Sequence, residues 1–128
     1  MSERFVLDAS ALLALLQDEP GAARVQGALP FASISSVNLA EVVSKLADAK
    51  LRRASIDEIL EPLDLDVVPF DREQAMGAGL MRPATRAFGL SLGDRACLAL
   101  ALATDAKVLT ADTSWAAADV GCGIEFVR

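Results

Sequence analysis

The sequence predicts an α/β fold with a central, mainly parallel sheet. The chain has 128 residues, which favours one domain, because domains typically run to about 100 to 200 residues. Hydrophobic residues make up 53% of the chain and charged residues 23%, which is enough apolar material for a core. Short β-prone runs alternate with longer helical patterns, and this alternation is typical of βαβ units with parallel strands.

The first part of the chain holds two predicted strand–helix units. The strand Arg4–Asp8 precedes the helix Ala9–Asp18, and the strand Phe31–Ile34 precedes the helix Ser36–Lys50. Apolar residues in the second helix recur at three- and four-residue spacing, which predicts one buried stripe. The stripe consists of Leu39, Val42, Val43, Leu46 and Ala47.

The middle of the chain repeats the same order. A helix is predicted over Ser55–Leu63, where Ser55 and Glu58 have the spacing of a capping box. The strand Asp66–Pro69 follows, and then a helix over Asp71–Phe88, which Pro83 should kink or end because proline cannot donate a backbone hydrogen bond.

The last part alternates in the same way. A helix is predicted over Ser91–Asp105, a strand over Lys107–Thr110, a helical turn over Ser114–Ala118 and a last strand over Ile124–Val127. No repeat or low-complexity segment interrupts this pattern.

Composition excludes several classes of protein. Histidine is absent, which rules out Ser-His-Asp and Cys-His catalysis and zinc sites that need imidazole. The two cysteines, Cys97 and Cys122, are too few for a disulfide scaffold and are interpreted as small hydrophobic residues. The net charge of −6 argues against nucleic-acid binding by bulk electrostatics alone, so a nucleic-acid substrate would need local cations. Nucleic-acid contacts should fall to particular cations, and Lys45, Lys50, Arg52 and Arg53 cluster around one helix end, with Arg82, Arg86 and Arg95 elsewhere. Solvated surface is the more ordinary interpretation of such charges.

Apolar runs are short. Ala96–Ala103 and Ala11–Leu16 fall well below the roughly 18 residues that a membrane-spanning helix needs. Glu3 and Asp8 interrupt the N-terminus, which does not resemble a secretory signal. We expect a cytoplasmic protein without membrane association.

Four acidic residues are placed to meet at one edge of the predicted sheet. Asp8 ends the first strand, and Asp112 follows the strand Lys107–Thr110 after a single alanine. Glu41 and Asp94 lie near the N-termini of helices, which begin at the edge where parallel strands end. Ligands of open parallel sheets bind at that edge, particularly where the strand order reverses. The four acids are therefore expected to converge.

Each acid also has an ordinary structural interpretation. Asp94 forms a capping-box pattern with Ser91, and Asp112 can cap the helical turn that follows it. Glu41 can cap with Asn38 or form an i,i+4 ion pair with Lys45. Asp8 is the hardest to explain structurally, because an acid between apolar neighbours at the end of a buried strand costs free energy.

A cluster of four carboxylates needs a counter-charge, since like charges at about 4 Å repel by several kcal/mol at intermediate dielectric. Without histidine or a thiolate cluster, an all-oxygen site suits a hard ion such as Mg²⁺ or Mn²⁺, whose shell substrate phosphate can complete. The pattern therefore points to phosphodiester chemistry with metal-activated water.

The sequence resembles the PIN domain family, and within it the VapC toxins of toxin–antitoxin pairs, over essentially its whole length. The resemblance rests on four segments in this order and at these separations: Val6–Leu12, Ser36–Val42, Leu90–Ala99 and Val108–Asp112. It implies a three-layer α/β/α fold and RNA cleavage that leaves 5′-phosphate and 3′-hydroxyl ends. It also implies that the metal-binding quartet is Asp8, Glu41, Asp94 and Asp112, with Mg²⁺ or Mn²⁺ as cofactor.

Polar residues match further positions around the site of the family: Ser10, Asn38 and Thr110. Their hydroxyl and amide groups could orient carboxylates or water, and capping or turn bonding is the alternative interpretation. The resemblance further implies a VapB-like antitoxin as partner and a toxin homodimer. A housekeeping PIN nuclease or a catalytically silent PIN binding domain stays open as the alternative function.

Receiver domains and phosphatases of the haloacid dehalogenase type are α/β proteins with an acid after the first strand. A receiver normally pairs two acids there, but Leu7 precedes Asp8. The phosphatase pattern requires a second aspartate two residues after the first, and Ser10 occupies that position. Both classes are therefore discounted.

Overall fold

The computed structural model describes residues 3–117 and 120–128. Within these residues, the strands form one parallel five-stranded sheet in the order β3-β2-β1-β4-β5. Its strands are β1 (Phe5–Leu7), β2 (Ala32–Ser35), β3 (Asp66–Val68), β4 (Lys107–Thr110) and β5 (Ile124–Phe126). The chain moves outward from β1 to β3 and then returns to the other side of β1, so the strand order reverses between β1 and β4.

Helices occupy both faces of the sheet. They are α1 (Ala9–Leu16), α2 (Ala22–Ala28), α3 (Ser36–Asp48), α4 (Arg53–Leu60), α5 (Arg72–Leu80), α6 (Arg82–Thr85) and α7 (Leu92–Thr104). Single turns of 3₁₀-helix cover Leu29–Phe31, Glu61–Leu63, Arg86–Phe88 and Thr113–Ala117. The predicted α/β class and three-layer α/β/α architecture are confirmed.

Side chains of β1 alternate between two hydrophobic cores, because successive residues of a strand point to opposite faces. Phe5 and Leu7 pack with helices α1 to α4 on one face. Val6 packs on the other face with α7 and with the buried Trp115. Cys97 is fully buried in this second core and Cys122 is half-buried, as expected of small hydrophobic residues.

The sequence did not predict α2. This helix has no side-chain cap and begins after Gly21, which adopts a positive φ of 99°. A Cβ atom at Gly21 would lie 2.5 Å from the carbonyl oxygen of Val127. The helix is held by burial of Val25 and Ala28 against the first core, which is a tertiary contact rather than a local sequence signal.

Two predictions for the middle of the chain are wrong in detail. The capping box of Ser55 and Glu58 is absent, because α4 already begins at Arg53 and Ile56 N–H donates to the carbonyl of Arg52 at 3.0 Å. The long helix predicted over Asp71–Phe88 divides into α5, α6 and a 3₁₀ turn. Pro83 lies in the first turn of α6, where proline is tolerated, so the predicted break is confirmed.

Other boundaries shift by a few residues. The second strand begins at Ala32 rather than Phe31, which belongs to a 3₁₀ turn and is half exposed. The helical turn predicted over Ser114–Ala118 begins at Thr113 and extends to Ala117, and Ala118 lies outside the described residues.

Candidate active site

Asp8 lies at the carboxyl end of β1, where the strand order reverses, and is only 5% exposed. Its Oδ1 accepts hydrogen bonds from Ser10 Oγ at 2.7 Å and from the backbone N–H of Ala11 at 2.9 Å. Its Oδ2 accepts one from Thr110 Oγ1 at 2.5 Å. Asp8 is therefore also the N-cap of α1, a structural role that sequence analysis missed.

Burial raises the pKa of Asp8 from the ordinary value of 3.8 to about 6, because the charged form loses hydration. Hydrogen bonds from Thr110, Ala11 and Ser10 stabilise the carboxylate and partly offset this rise in pKa, while the negative charge of Asp94 adds to it. Asp8 is thus mostly ionised at neutral pH, and a nearby cation would favour this form further.

Glu41 extends from α3 and is tied to α7 through Asn38. The buried Asn38 donates through Nδ2 to Glu41 Oε1 at 2.9 Å and to the carbonyl of Gly93 at 3.0 Å. A Cβ atom at Gly93 would overlap Glu41 Oε2 and lie 2.6 Å from Glu41 Cδ. The side chain of Glu41 thus occupies space that only a glycine leaves open. Ser35, not Asn38, caps α3.

Asp94 lies in the first turn of α7 and forms the predicted capping box with Ser91. Ser91 Oγ accepts from the Asp94 N–H at 3.1 Å, and Asp94 Oδ2 accepts from the Ser91 N–H at 2.9 Å. The capping interpretation of Asp94 is therefore correct, and it uses only one carboxylate oxygen. The cap also fixes the direction in which this carboxylate leaves the helix.

Asp112 follows β4 and is held by two short-range bonds. Its backbone N–H donates to Thr110 Oγ1 at 2.9 Å, and its Oδ1 accepts from the N–H of Ser114 at 2.9 Å. Thr110 thus contacts Asp8 through its hydroxyl proton and Asp112 through its lone pair. The capping interpretation of Asp112 is correct as well.

All four acids line one cleft of about 320 Å³ at the carboxyl edge of the sheet. Ser10 and Asn38 also line it, whereas Thr110 lies directly beneath Asp8 and is fully buried. In the described part of the chain, no three acidic or cysteine side chains already surround a single point as a bound metal ion would require. The carboxylates share a cleft and lie apart within it, each bonded to its own neighbours.

Sequence reasoning missed two features of this cleft. The first is that Gly93, which has no side chain, leaves space for the carboxylate of Glu41. The only signal in the sequence for a role of Gly93 in the cleft was that it directly precedes Asp94. Lys45 lines the cleft beside the four acids. The sequence had offered it as an RNA-contacting cation, a solvated surface residue or an ion-pair partner of Glu41, without placing it in the cleft. That ion pair is absent from the described residues.

The fold is a parallel α/β/α sandwich with carboxylates where the strand order reverses, and comparison with known protein families identifies the class to which it belongs. Residues 5–121 match the family model of the PIN domain, so the chain belongs to the PIN domain family. Within known proteins it is similar to VapC ribonuclease Mb0625 of Mycobacterium bovis and to ribonuclease VapC28 of Mycobacterium tuberculosis. Each is 32% identical over 117 residues, which cover 80% of this chain and 83% of the relative.

Solved structures share the fold. DNA-bound VapBC from Salmonella typhimurium has a TM-score of 0.70 at 19% identity and covers 99% of this chain and 100% of its own. FitAcB from Neisseria gonorrhoeae has a TM-score of 0.69 at 21% identity, with 96% and 97% coverage. In the described residues, no helix is long and apolar enough to span a bilayer.

Proposed function

We propose that this chain is a metal-dependent endoribonuclease and the toxin of a VapBC-type toxin–antitoxin pair. One observation carries the proposal: carboxylates from β1, α3, α7 and the segment after β4 line a single cleft where the strand order reverses. The 32% identity to two VapC ribonucleases supports RNA as the substrate.

The donor set fits a hard divalent cation. Asp8, Glu41, Asp94 and Asp112 would hold Mg²⁺ or Mn²⁺, which prefer oxygen ligands and usually keep several waters. Glu41 Oε2, Asp94 Oδ1 and Asp112 Oδ2 accept no hydrogen bond from the described residues and are therefore available to a ligand. When bound, such an ion activates water for attack on phosphorus and neutralises charge on the leaving oxygen.

The chain supplies position and charge. Ser10 donates a hydrogen bond to one carboxylate oxygen of Asp8 and Thr110 donates to the other, and these bonds fix the orientation of the carboxylate. Asn38 holds Glu41 against α7, and the cap of Ser91 holds Asp94. Residues that orient metal-binding carboxylates typically affect activity by 10- to 100-fold, which is the role we assign to Ser10, Asn38 and Thr110.

Replacing one carboxylate by its amide tests the nuclease. Asp94→Asn should lower RNA cleavage by more than about 100-fold while the protein stays folded, because the amide is a far weaker metal ligand. Cleavage of structured RNA in Mg²⁺ or Mn²⁺, followed on gels and by sequencing of the ends, measures this. Asp105→Asn is the matched control: Asp105 ends the same helix at the opposite edge, in a left-handed conformation that asparagine also adopts.

Two outcomes would contradict the proposed metal site. Wild-type cleavage that persists in excess EDTA would exclude the metal mechanism. If Asp94→Asn cleaves RNA as fast as Asp105→Asn, Asp94 does not hold the metal ion.

The partner is a VapB-like antitoxin, with a toxin homodimer inside a hetero-oligomer in the cytoplasm. The solved VapBC complexes with the same fold support this assembly. Exposed apolar side chains between α5 and the start of α7 provide surface for it: Met76, Leu80, Phe88 and Leu92. Co-expression of this chain with a small gene adjacent to its own should yield a stable protein complex. The same co-expression should relieve the growth arrest that we expect the chain alone to cause.

The alternative function is a housekeeping PIN nuclease or a silent PIN binding domain. A protein that cleaves RNA but binds no product of a neighbouring gene would be a housekeeping nuclease. A protein that neither cleaves RNA nor arrests growth would be a binding domain.

A further inference from the structure

Lys45 is a cation at the rim of an acidic cleft. It lies on α3 one helical turn after Glu41, is exposed, and lines the cleft with the four carboxylates. The other described residues that line the cleft include no lysine or arginine. Among the described residues, Lys45 is thus the one basic residue that lines the cleft of the proposed reaction.

The side chain of Lys45 has no structural partner in the described residues. Spacing of i and i+4 would favour an ion pair with Glu41. Glu41 Oε1 instead accepts from Asn38 Nδ2 at 2.9 Å, and the ion pairs among described residues do not include Lys45. Asn38 thus occupies one carboxylate oxygen of Glu41, and among the described residues Lys45 forms no ion pair.

An RNA strand meets an unfavourable field in this cleft, because the chain carries a net charge of −6 and four carboxylates line the site. A lysine ammonium is a compact, mobile charge that binds phosphate well. We propose that Lys45 binds a backbone phosphate beside the bond that is cut and so positions the RNA. This inference rests on the proposed nuclease function and assigns Lys45 a positioning role.

Binding without metal tests the proposal separately from catalysis. Lys45→Gln should weaken binding of a fluorescent single-stranded RNA in EDTA by about fivefold at 0.1 M salt, because one released counterion is lost. The slope of log Kd against log salt should fall by about 0.7. With metal present, KM should rise while kcat changes little, and Lys45→Arg should restore most of the affinity.

Lys107→Gln is the matched control. It removes the same charge at the amino end of β4, on the opposite edge of the sheet, where Lys107 pairs with exposed Glu3 at 2.8 Å. Its Kd and salt slope should stay close to those of the wild type.

Equal Kd and salt slope for Lys45→Gln and Lys107→Gln would overturn the proposal, and so would a wild-type chain that binds no RNA. A Lys45→Gln chain with normal RNA binding but a weakened antitoxin complex would assign the lysine to the protein partner instead. If the wild type does not cleave RNA but Lys45→Gln still weakens RNA binding, only the proposed nuclease function is contradicted.

Discussion

Asp8 is the most constrained carboxylate of the cleft, and its burial has a cost in stability. Its pKa is about 6 in the folded chain and 3.8 when solvated, so the folded state binds the proton more tightly. The stabilisation of the folded state by this tighter proton binding is fully present below about pH 3.8 and is lost as the pH rises through about 6. The difference corresponds to about 3 kcal/mol against folding at neutral pH.

Asp8→Asn should therefore stabilise the metal-free protein at pH 7 to 8, by up to about 3 kcal/mol, and have little effect near pH 4. The amide keeps the bonds from Ser10 and Ala11 and can donate to Thr110, whose proton can turn to Ser10 Oγ at 3.2 Å. Denaturant unfolding in EDTA across this pH range measures the effect. A destabilised Asp8→Asn at pH 8 would contradict this prediction.

Asp8, Asp94 and Asp112 stand at element boundaries that can be recognised locally, whereas Glu41 lies in the second turn of α3. Their distribution in one cleft could be expected from the rule that parallel strands end at the same edge. The hydrogen bond from Asn38 to the carbonyl of Gly93 could not be predicted, because it depends on how closely α3 and α7 approach each other. The cleft position of Lys45 could not be predicted either, although the sequence offered this lysine as an RNA contact as well as an ion-pair partner of Glu41.

Helices α3 and α7 meet at Gly93, and this contact yields a prediction. Gly93→Ala should displace the carboxylate of Glu41, because the new methyl group would overlap it, and lower RNA cleavage by about 10-fold or more. Stability should change by less than about 1 kcal/mol, since alanine favours the helix while the Asn38 bond to Glu41 weakens. Cleavage rates and thermal unfolding together measure this.

Gly27→Ala is the matched control, since Gly27 lies within α2 and an added Cβ atom meets nothing within 4 Å. It should gain stability and leave cleavage unchanged. Full cleavage activity of Gly93→Ala would show that the position of Glu41 is not set by the open space at Gly93.

At the scale of elements, strongly periodic or well-bounded segments were predictable. Of the stripe predicted for α3, Val42 and Leu46 are buried and Leu39 and Val43 are partly buried, whereas Ala47 is exposed. The capping box predicted for α7 is confirmed. In contrast, α2 has a glycine in its interior and Val25 as its one large apolar residue, so its helical state depends on Val25 packing into the first core. The capping box predicted at Ser55 does not form, because α4 begins at Arg53 and Ser55 already lies inside the helix.

The whole molecule should respond to metal. A cation bound by the four acids removes their repulsion and binds only the folded chain, so Mn²⁺ should raise Tm, with about 2.7 kcal/mol of stabilisation at 100 times Kd. EDTA should reverse the rise, and Asp112→Asn should reduce it. Thermal unfolding over a series of Mn²⁺ concentrations measures this, and the one-domain prediction expects a single transition. An unchanged wild-type Tm would argue against a metal site.

The pairing of β1 with β4 joins the two ends of the sequence. Thr110 supports Asp8 across 102 positions of the chain, and Asp112 comes later still. During synthesis on the ribosome, the cleft therefore cannot assemble until this late strand has emerged from the exit tunnel. Under the proposed nuclease function, a nascent polypeptide that stops before Asp112 lacks one of the four carboxylates and should not cleave RNA.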